Sequence, residues 1–428
     1  MGKDSRKGGR RETTAERYGP ESIELGIRER VRDVIEQIVE EEVEAALGAK
    51  PSERVGAGRH GYRHGHRERS LTTSVGATTM AMPRARLQGA EGSREWQSRT
   101  VRRYERRTQR VDEAILGVYL SGTNTRRIKG ALAPLLRGGP LSKDAVSRLV
   151  GRLAADFKTW RERDLSTDDI RYLFLDGWYP KVRIGKRRVR VPVLVTLGVR
   201  GTGQRVVLDM QLAGDESAAA WRGVIEDLVR RKIGTPALAV IDGNPGLVSA
   251  LREQWPGLPI QRCTVHKLRN LEAKAPAHLR EELAEDYRRM IYATGAAVID
   301  NARQAFRVKW KRRCPNVVVS LDEAGDDLFT FTAFPLSQWK ALRTTNALER
   351  INGEFRRRTK TQGSLPSQDA VLLLLFGLLH SGSIRLRRLD GWNDMPTACI
   401  RQAAKAPTVT GIASHATARP APKERKAA

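Results

Sequence analysis

The chain has 428 residues, 40% of them hydrophobic, with 77 Lys and Arg against 49 Asp and Glu and a formal net charge of +28. That length is enough for two or three domains with cores of their own, and the charge favours a polyanionic partner, DNA or RNA first, because each phosphate neutralised releases condensed counterions. The longest apolar run, Val371 to Leu379, is too short to span a bilayer, residues 1–18 are basic without an apolar centre, and the three cysteines are an odd and sparse set. The expectation is a soluble intracellular protein of a reducing compartment, with no membrane partner and no disulfide framework.

In chain order, residues 1–20 form a basic start read as disordered. Glu21 to Leu47 reads as a helix, since Ile27, Val31, Val34, Ile38 and Val39 recur at helical spacing and Gly48 ends it. Its apolar side suits packing within its own domain better than a dimer contact, the heptad pattern being too short for a coiled coil. Between Ser52 and Arg110 fourteen arginines stand against five acids, with Tyr62, Trp96 and Tyr104 interleaved. That composition points to phosphate contact with stacking, the alternative being a solvated basic face. His60, His64 and His66 have no cysteine nearby and read as part of a basic loop rather than a zinc site. Residues 21–110 are therefore expected to be an N-terminal helix and a basic DNA-binding region, the first part of an N-terminal DNA-binding region that is mainly helical.

Residues 111–164 read as helix, helix, turn, helix. The helices are Asp112–Leu120, Asn124–Leu136 and, after the turn Arg137-Gly138-Gly139-Pro140 and the cap Ser142, one running from Lys143 toward Trp160. This is helix-turn-helix spacing, in which Lys143, Ser147 and Arg148 would meet DNA; helical hairpins outside DNA binding share the same grammar.

At residue 165 the periodicity changes. Tyr172–Trp178, Val189–Val199 and Arg205–Leu212 read as an antiparallel meander, followed by a helix over Glu216–Lys232, a strand ending at Asp242, a helix from Pro245 and a short strand Pro259–Cys263. Three strands, helix, strand, helix, strand is the order of a ribonuclease-H-like α/β domain. The core is expected over 165–266 and 336–395, interrupted by an all-helical insertion over 267–335, with a disordered tail over 396–428. Two of the strands end in Asp-Gly, at Asp176-Gly177 and Asp242-Gly243, which can place two carboxylates at one sheet edge. A third acid, Glu349, lies on a helix where Asn346, Glu349, Asn352 and Arg356 share a polar face opposite Leu348, Ile351 and Phe355.

Five strings carry a family resemblance: Leu175-Asp176-Gly177-Trp178-Tyr179 with Lys181 and Arg183; Ile241-Asp242-Gly243-Asn244-Pro245-Gly246-Leu247; Gln261-Arg262-Cys263-Thr264-Val265-His266-Lys267-Leu268-Arg269-Asn270; Thr344-Thr345-Asn346-Ala347-Leu348-Glu349-Arg350-Ile351-Asn352; and Arg358-Thr359-Lys360 with Gly363. With them the chain resembles bacterial insertion-sequence transposases of the IS256 group, related to the eukaryotic Mutator-like transposases, over roughly Ser52 to Leu379. The resemblance implies that Asp176, Asp242 and Glu349 are the metal-binding triad of a DDE transposase. Two Mg²⁺ ions, or Mn²⁺ in their place, would then serve cleavage by water and strand transfer by a 3′-hydroxyl. It further implies terminal inverted repeats and target DNA as double-stranded substrates, a homodimer or higher oligomer acting across two ends, a circular replicative intermediate, and work at the bacterial nucleoid in the cytoplasm. Three converging carboxylates repel one another unless cations neutralise them, which agrees with metal binding.

Cys263 and His266 have the spacing of half a zinc site, yet no second pair stands nearby; the preferred reading places them, with Asn346, as accessories beside the catalytic pocket. Arg350, Arg356, Arg358 and Lys360 are assigned to phosphate contacts, and Lys181 and Arg183 to DNA binding. A metal-dependent nuclease without paired ends and a non-catalytic DNA-binding protein are the rival classes.

Overall fold

The computed structural model describes residues 23–53, 58–89, 92–123, 127–137, 139–361, 365 and 367–395. The basic start and the Ala-, Pro- and Lys-rich tail expected from the sequence lie outside the described residues.

The first helix, α1 (Ile23–Leu47), buries Val39, Val43 and Leu47. Its partner is a three-stranded antiparallel sheet, β1 (Gly61–Thr73), β2 (Gly76–Gly89) and β3 (Gly92–Glu95). Val39 packs with Leu71, Met80, Met82 and Val101, while Val43 and Leu47 pack on Ala85. The C-terminal half of α1 thus packs within its own unit, whereas Ile27, Val34 and Ile38 remain exposed. This sheet corrects the expectation of a mainly helical basic region, and it puts His64 and His66 on a strand rather than in a loop. The physical reason is alternation in two phases: Met80 and Met82 turn inward about outward Ala81, and after a step at Pro83 Ala85 turns inward between outward Arg84 and Arg86. Trp96 is part of the apolar packing, so of the three interleaved aromatics only Tyr62 and Tyr104 face solvent.

Next come α2 (Gln109–Leu120), two single turns α3 (Ile128–Ala131) and α4 (Ala133–Leu136), and α5 (Lys143–Glu162), whose cap Ser142 accepts from the Ala145 amide at 3.2 Å. Where the sequence predicts one continuous helix over Asn124–Leu136, the described residues hold two turns. Pro134 sits at the start of the second, where its missing amide hydrogen is tolerated.

The central sheet has five strands in the order β10-β9-β4-β7-β8. They are β4 (Ile170–Trp178), β7 (Val193–Arg200), β8 (Arg205–Leu212), β9 (Leu238–Ile241) and β10 (Ile260–Arg262); β5 (Lys181–Ile184) and β6 (Arg187–Arg190) form a separate hairpin between β4 and β7. The strand expected over Val189–Val199 is divided: Arg187–Arg190 pairs with Lys181–Ile184 across a turn at Gly185-Lys186, with Lys181 and Arg183 outward, and β7 begins at Val193. β4, β7 and β8 form the expected antiparallel meander, and β9 and β10 extend it in parallel. Helices α6 (Ala218–Arg230) and α7 (Pro245–Gln254) cover one face, where Leu173 and Leu175 meet Trp221, Val224 and Leu251. Tyr172 and Phe174 point to the opposite face, into a core shared with α2, α5 and the later helices.

After β10 the chain is helical: α8 (Thr264–Lys274), α9 (Arg280–Ile291), α10 (Ala296–Arg313) and α11 (Pro315–Ala324), with breaks at Ala275-Pro276 and near Gly295. Then come α12 (Trp339–Leu342), α13 (Asn346–Thr361) and α14 (Asp369–His380). No helix of the described residues is long and apolar enough to cross a membrane.

Fully buried Gln261 joins the sheet to this helical segment. Its amide nitrogen donates to the Leu328 carbonyl at 2.9 Å and its oxygen accepts from the Phe331 amide at 2.7 Å. Beside it Arg262 and Lys267 converge on Glu323 at 2.6 and 2.7 Å. A Gln261→Leu substitution strands two buried backbone groups, each worth about 1–3 kcal/mol. It should lower unfolding free energy by at least about 2 kcal/mol, read from the urea midpoint at unchanged m-value.

Candidate active site

Strands β4, β8, β9 and β10 all point the same way, so their C-terminal ends share one edge of the sheet, the edge at which ligands of open α/β sheets bind. The parallel register pairs Leu175 with Ile241, which brings the following residues, Asp176 and Asp242, side by side. Asp176 is 7% exposed. Burial, and then the charge of Asp242, push its proton affinity up to about 7, against the opposing effect of His266. Asp242 anchors its own loop: its Oδ1 accepts from the Asn244 amide at 2.9 Å, and Asn244 caps α7 by accepting from Gly246 and Leu247. Gly243 is required between them, at φ +97° and with the Arg262 guanidinium 2.4 Å from where a Cβ would stand.

A further carboxylate joins this edge. Glu216 follows β8 and precedes the cap Ser217 of α6. The sequence reading placed it in the first turn of that helix, and it lies one residue before the cap instead. Its side chain lies against the end of β4, where a Cβ on Gly177 would stand 1.6 Å from Glu216 Oε1. It accepts from Asn244 Nδ2 at 3.3 Å and hydrogen-bonds Tyr179. Burial, and then Asp242, raise its proton affinity. The sequence signal that could have found it is the strong cap at Ser217, which fixes the preceding acid outside the helix.

Cys263 follows β10 and continues its line, its amide donating to the Ile241 carbonyl at 2.6 Å. Its sulfur is buried and accepts from the amide and hydroxyl of Thr345, both at 3.4 Å. The Thr264 amide and hydroxyl donate to the Arg343 carbonyl at 2.9 and 3.0 Å. These bonds fasten the start of α8 to the residues that lead into α13, and so set where Glu349 projects. On α13, Leu348, Ile351 and Phe355 are buried as expected, and so is Asn352. Glu349 Oε1 stands 3.2 Å from Arg269 Nη1 and 3.9 Å from His266 Nε2.

The Cys263 sulfur first, then Asp176 and Asp242, raise the His266 proton affinity to about 9 against the cost of burial. Its buried Nδ1 has no hydrogen-bond partner of good geometry among the described residues. Burial raises the Cys263 thiol, but His266 and Thr345 outweigh that and bring it below the ordinary thiol value. The arrangement therefore alternates charge: carboxylates at the strand ends, a protonated imidazole among them, and Arg269 at Glu349.

Five predicted residues, Asp176, Asp242, Cys263, His266 and Glu349, are thus gathered at one edge. Asn346 is exposed at the first position of α13, and Arg350, Arg356 and Lys360 are exposed along it, with Arg358 half-buried. The hairpin bearing Lys181 and Arg183 is tied to the segment after α13 through the Arg183 carbonyl, which accepts from the Leu365 amide at 2.8 Å. Lys143, Ser147 and Arg148 are exposed near the start of α5, and Arg148 lines a different cleft.

A family model described as "Transposase, Mutator family" matches residues 11–383. The chain is 32% identical to the transposase for insertion sequence element IS406 of Burkholderia multivorans, over 78% of this chain and 84% of that protein. It is 31% identical to the transposase for insertion sequence element ISRM5 of Rhizobium meliloti, over 89% and 94%. It is 29% identical to the transposase for insertion sequence element IS256 in transposon Tn4001 of Staphylococcus aureus, over 75% and 80%.

The raised proton affinity of Asp176 fixes the sign of a pH effect. Its protonated form is favoured in the folded chain, so its contribution to stability is complete below the ordinary carboxylate range and is lost as pH rises through about 7. Without divalent ions, Asp176→Asn should therefore raise the melting temperature at pH 8, and the gain should shrink as the pH falls toward 5, as followed by scanning calorimetry.

Proposed function

Because the chain belongs to the Mutator family of transposases, we propose that it acts on double-stranded DNA as an insertion-sequence transposase of the DDE type. In this reading Asp176, Asp242 and Glu349 form the catalytic triad, terminal inverted repeats are the substrate, and a homodimer or larger assembly holds two ends. The observation that carries it is the β4–β9 register, which sets buried Asp176 beside Asp242. Two carboxylates held so close, one of them at a proton affinity of about 7, are short of positive charge. Strand order and the positions of the two aspartates support a ribonuclease-H-like core with a helical insertion between β10 and α13.

Among the described residues no three His, Cys, Asp or Glu side chains already stand as a metal-holding group. Asp176 and Asp242 still fit the role, because Mg²⁺ is commonly held by one or two carboxylates together with substrate phosphates. Glu349 completes the set once it parts from Arg269. Mg²⁺ or Mn²⁺, as a pair, would supply activation of the attacking oxygen and neutralisation of charge at the scissile phosphate.

The remaining duties fall to protein groups. Protonated His266 balances the aspartates and presents Nε2 toward Glu349 or a phosphate oxygen. Arg269, displaced from Glu349, turns to the DNA backbone. Cys263 acts by holding Thr345, and with it the start of α13, rather than as a zinc ligand. Lys181, Arg183, Arg350, Arg356, Arg358 and Lys360 contact phosphates around the site, and Lys143, Ser147 and Arg148 engage DNA from α5.

The test incubates purified protein with end-containing duplex and Mg²⁺ or Mn²⁺. Asp176→Ala, Asp242→Ala and Glu349→Ala should each reduce cleavage and joining by at least about a hundredfold while DNA binding persists. Asp242→Ala cleaving and joining like the parent would contradict the mechanism, and cleavage without joining or paired ends would favour the nuclease. Arg356→Ala should weaken duplex binding across sequences and reduce the slope of log K against log salt by about 1, measured by anisotropy titrations at several salt concentrations.

A further inference from the structure

Away from the carboxylate edge lies a cleft of about 1510 Å³, walled by the segment Arg102–Arg107 on one side and by α5 on the other, with α2 and α14 as its floor. It exceeds the roughly 300–1,000 Å³ typical of small-molecule pockets. The segment carries Tyr104, a residue that is 80% exposed and whose φ is +69°, a conformation that is an outlier for a bulky side chain. This is not a slack loop. Arg69 Nη1 donates to the Val101 carbonyl at 3.2 Å, and Arg69 Nη2 to the carbonyls of Arg102 and, at 2.6 Å, Glu105. The Thr72 amide donates to the Arg106 carbonyl and the Thr108 amide to that of Thr72. The fold thus holds a strained turn in place, and the turn displays an aromatic ring to water at the mouth of a cleft.

The charges of the cleft limit what the ring can meet. Arg107 and Arg152 are spent on Asp112, at 2.8 Å each, while Arg102, Arg103, Arg106 and Arg148 form no ion pair with an acid among the described residues. Glu105, Glu113 and Asp156 also line the walls. Six arginines against four acids leave a small positive excess, which serves a few phosphates, not the long phosphate track of a duplex. The Arg103 guanidinium lies 5.1 Å from the Tyr104 ring, so that ring is already half of a stack. A base inside a duplex offers only its edges to protein, and its face becomes available once it is unpaired.

We propose that this cleft takes a short unpaired segment of DNA, with one base stacked on Tyr104 and flanking phosphates against Arg103 and Arg148. The proposal rests on the reading of the protein as a DNA transposase, and it makes Tyr104 a recognition residue for unpaired nucleotides.

The test uses the full chain in EDTA, so that catalysis plays no part. Binding of a blunt duplex is compared with the same duplex carrying a four-nucleotide single-stranded overhang that includes 2-aminopurine. The parent protein should prefer the overhang by about tenfold and quench its fluorescence, as stacking of one base predicts. Tyr104→Gly removes the ring while suiting the positive φ, so it should keep the parent melting temperature and blunt-duplex affinity and lose the overhang preference. Tyr104→Trp should retain the preference. Equal affinity of the parent for both DNAs, or an equal loss on both in Tyr104→Gly, would overturn the proposal. Failure of the transposase reading is distinct, because it appears as Asp242→Ala cleaving like the parent, whatever the overhang data show.

Discussion

Four strands of the central sheet stop at the same edge, and the parallel alignment of β4 with β9 makes Asp176 and Asp242 neighbours there. Hydrogen bonding along a parallel pair fixes register to the residue, so neither acid can retreat from the other without breaking the ladder. A buried carboxylate facing a second one is unfavourable in the charged form. The fold carries that cost in its centre, where Glu216 adds a further acid that accepts from Asn244; His266 answers it with positive charge, and Asn244 closes the loop behind Asp242.

The helical segment between β10 and α13 is held to this edge by the string Gln261 to Asn270, one of the five that carry the family resemblance. Gln261, Arg262 and Lys267 bind the backbone and Glu323 of the helices that follow, Thr264 binds the Arg343 carbonyl, and Cys263 receives Thr345. Much of a string that looks catalytic is therefore joinery. It decides the direction of α13, and on the proposed reading it decides the reach of Glu349. The contact of Glu349 with Arg269 and His266 supplies positive charge to a carboxylate that the proposed chemistry would hand over to metal ions.

What could be read from sequence was whatever period and punctuation write plainly. The two apolar strands that lead to the Asp-Gly pairs and the apolar side of α13 stand where expected, although β4 runs on through Asp176-Gly177 to Trp178 and β9 ends at Ile241, one residue before Asp242. The basic N-terminal sheet was hidden because its outward positions are arginines, so an alternating strand looked like a charged coil until Met80, Met82 and Ala85 were seen on one side. The helix expected over Asn124–Leu136 ignored Pro134, which belongs at the first turn of a new helix. Glu216 escaped because a lone acid before a cap has no period, and its meaning comes only from the strand β8 that delivers it. Tyr104 was singled out by composition, but neither its strained backbone nor the cleft behind it is a property of sequence spacing.

The central claim is that Asp176 and Asp242 are poised together for divalent ions. Anomalous scattering from Mn²⁺ in crystals of the protein bound to an end-containing duplex tests it most directly. The account predicts Mn²⁺ bound by the Asp176 and Asp242 carboxylates, with Glu349 released from Arg269. Mn²⁺ bound elsewhere, with the two aspartates still facing each other unliganded, would contradict it.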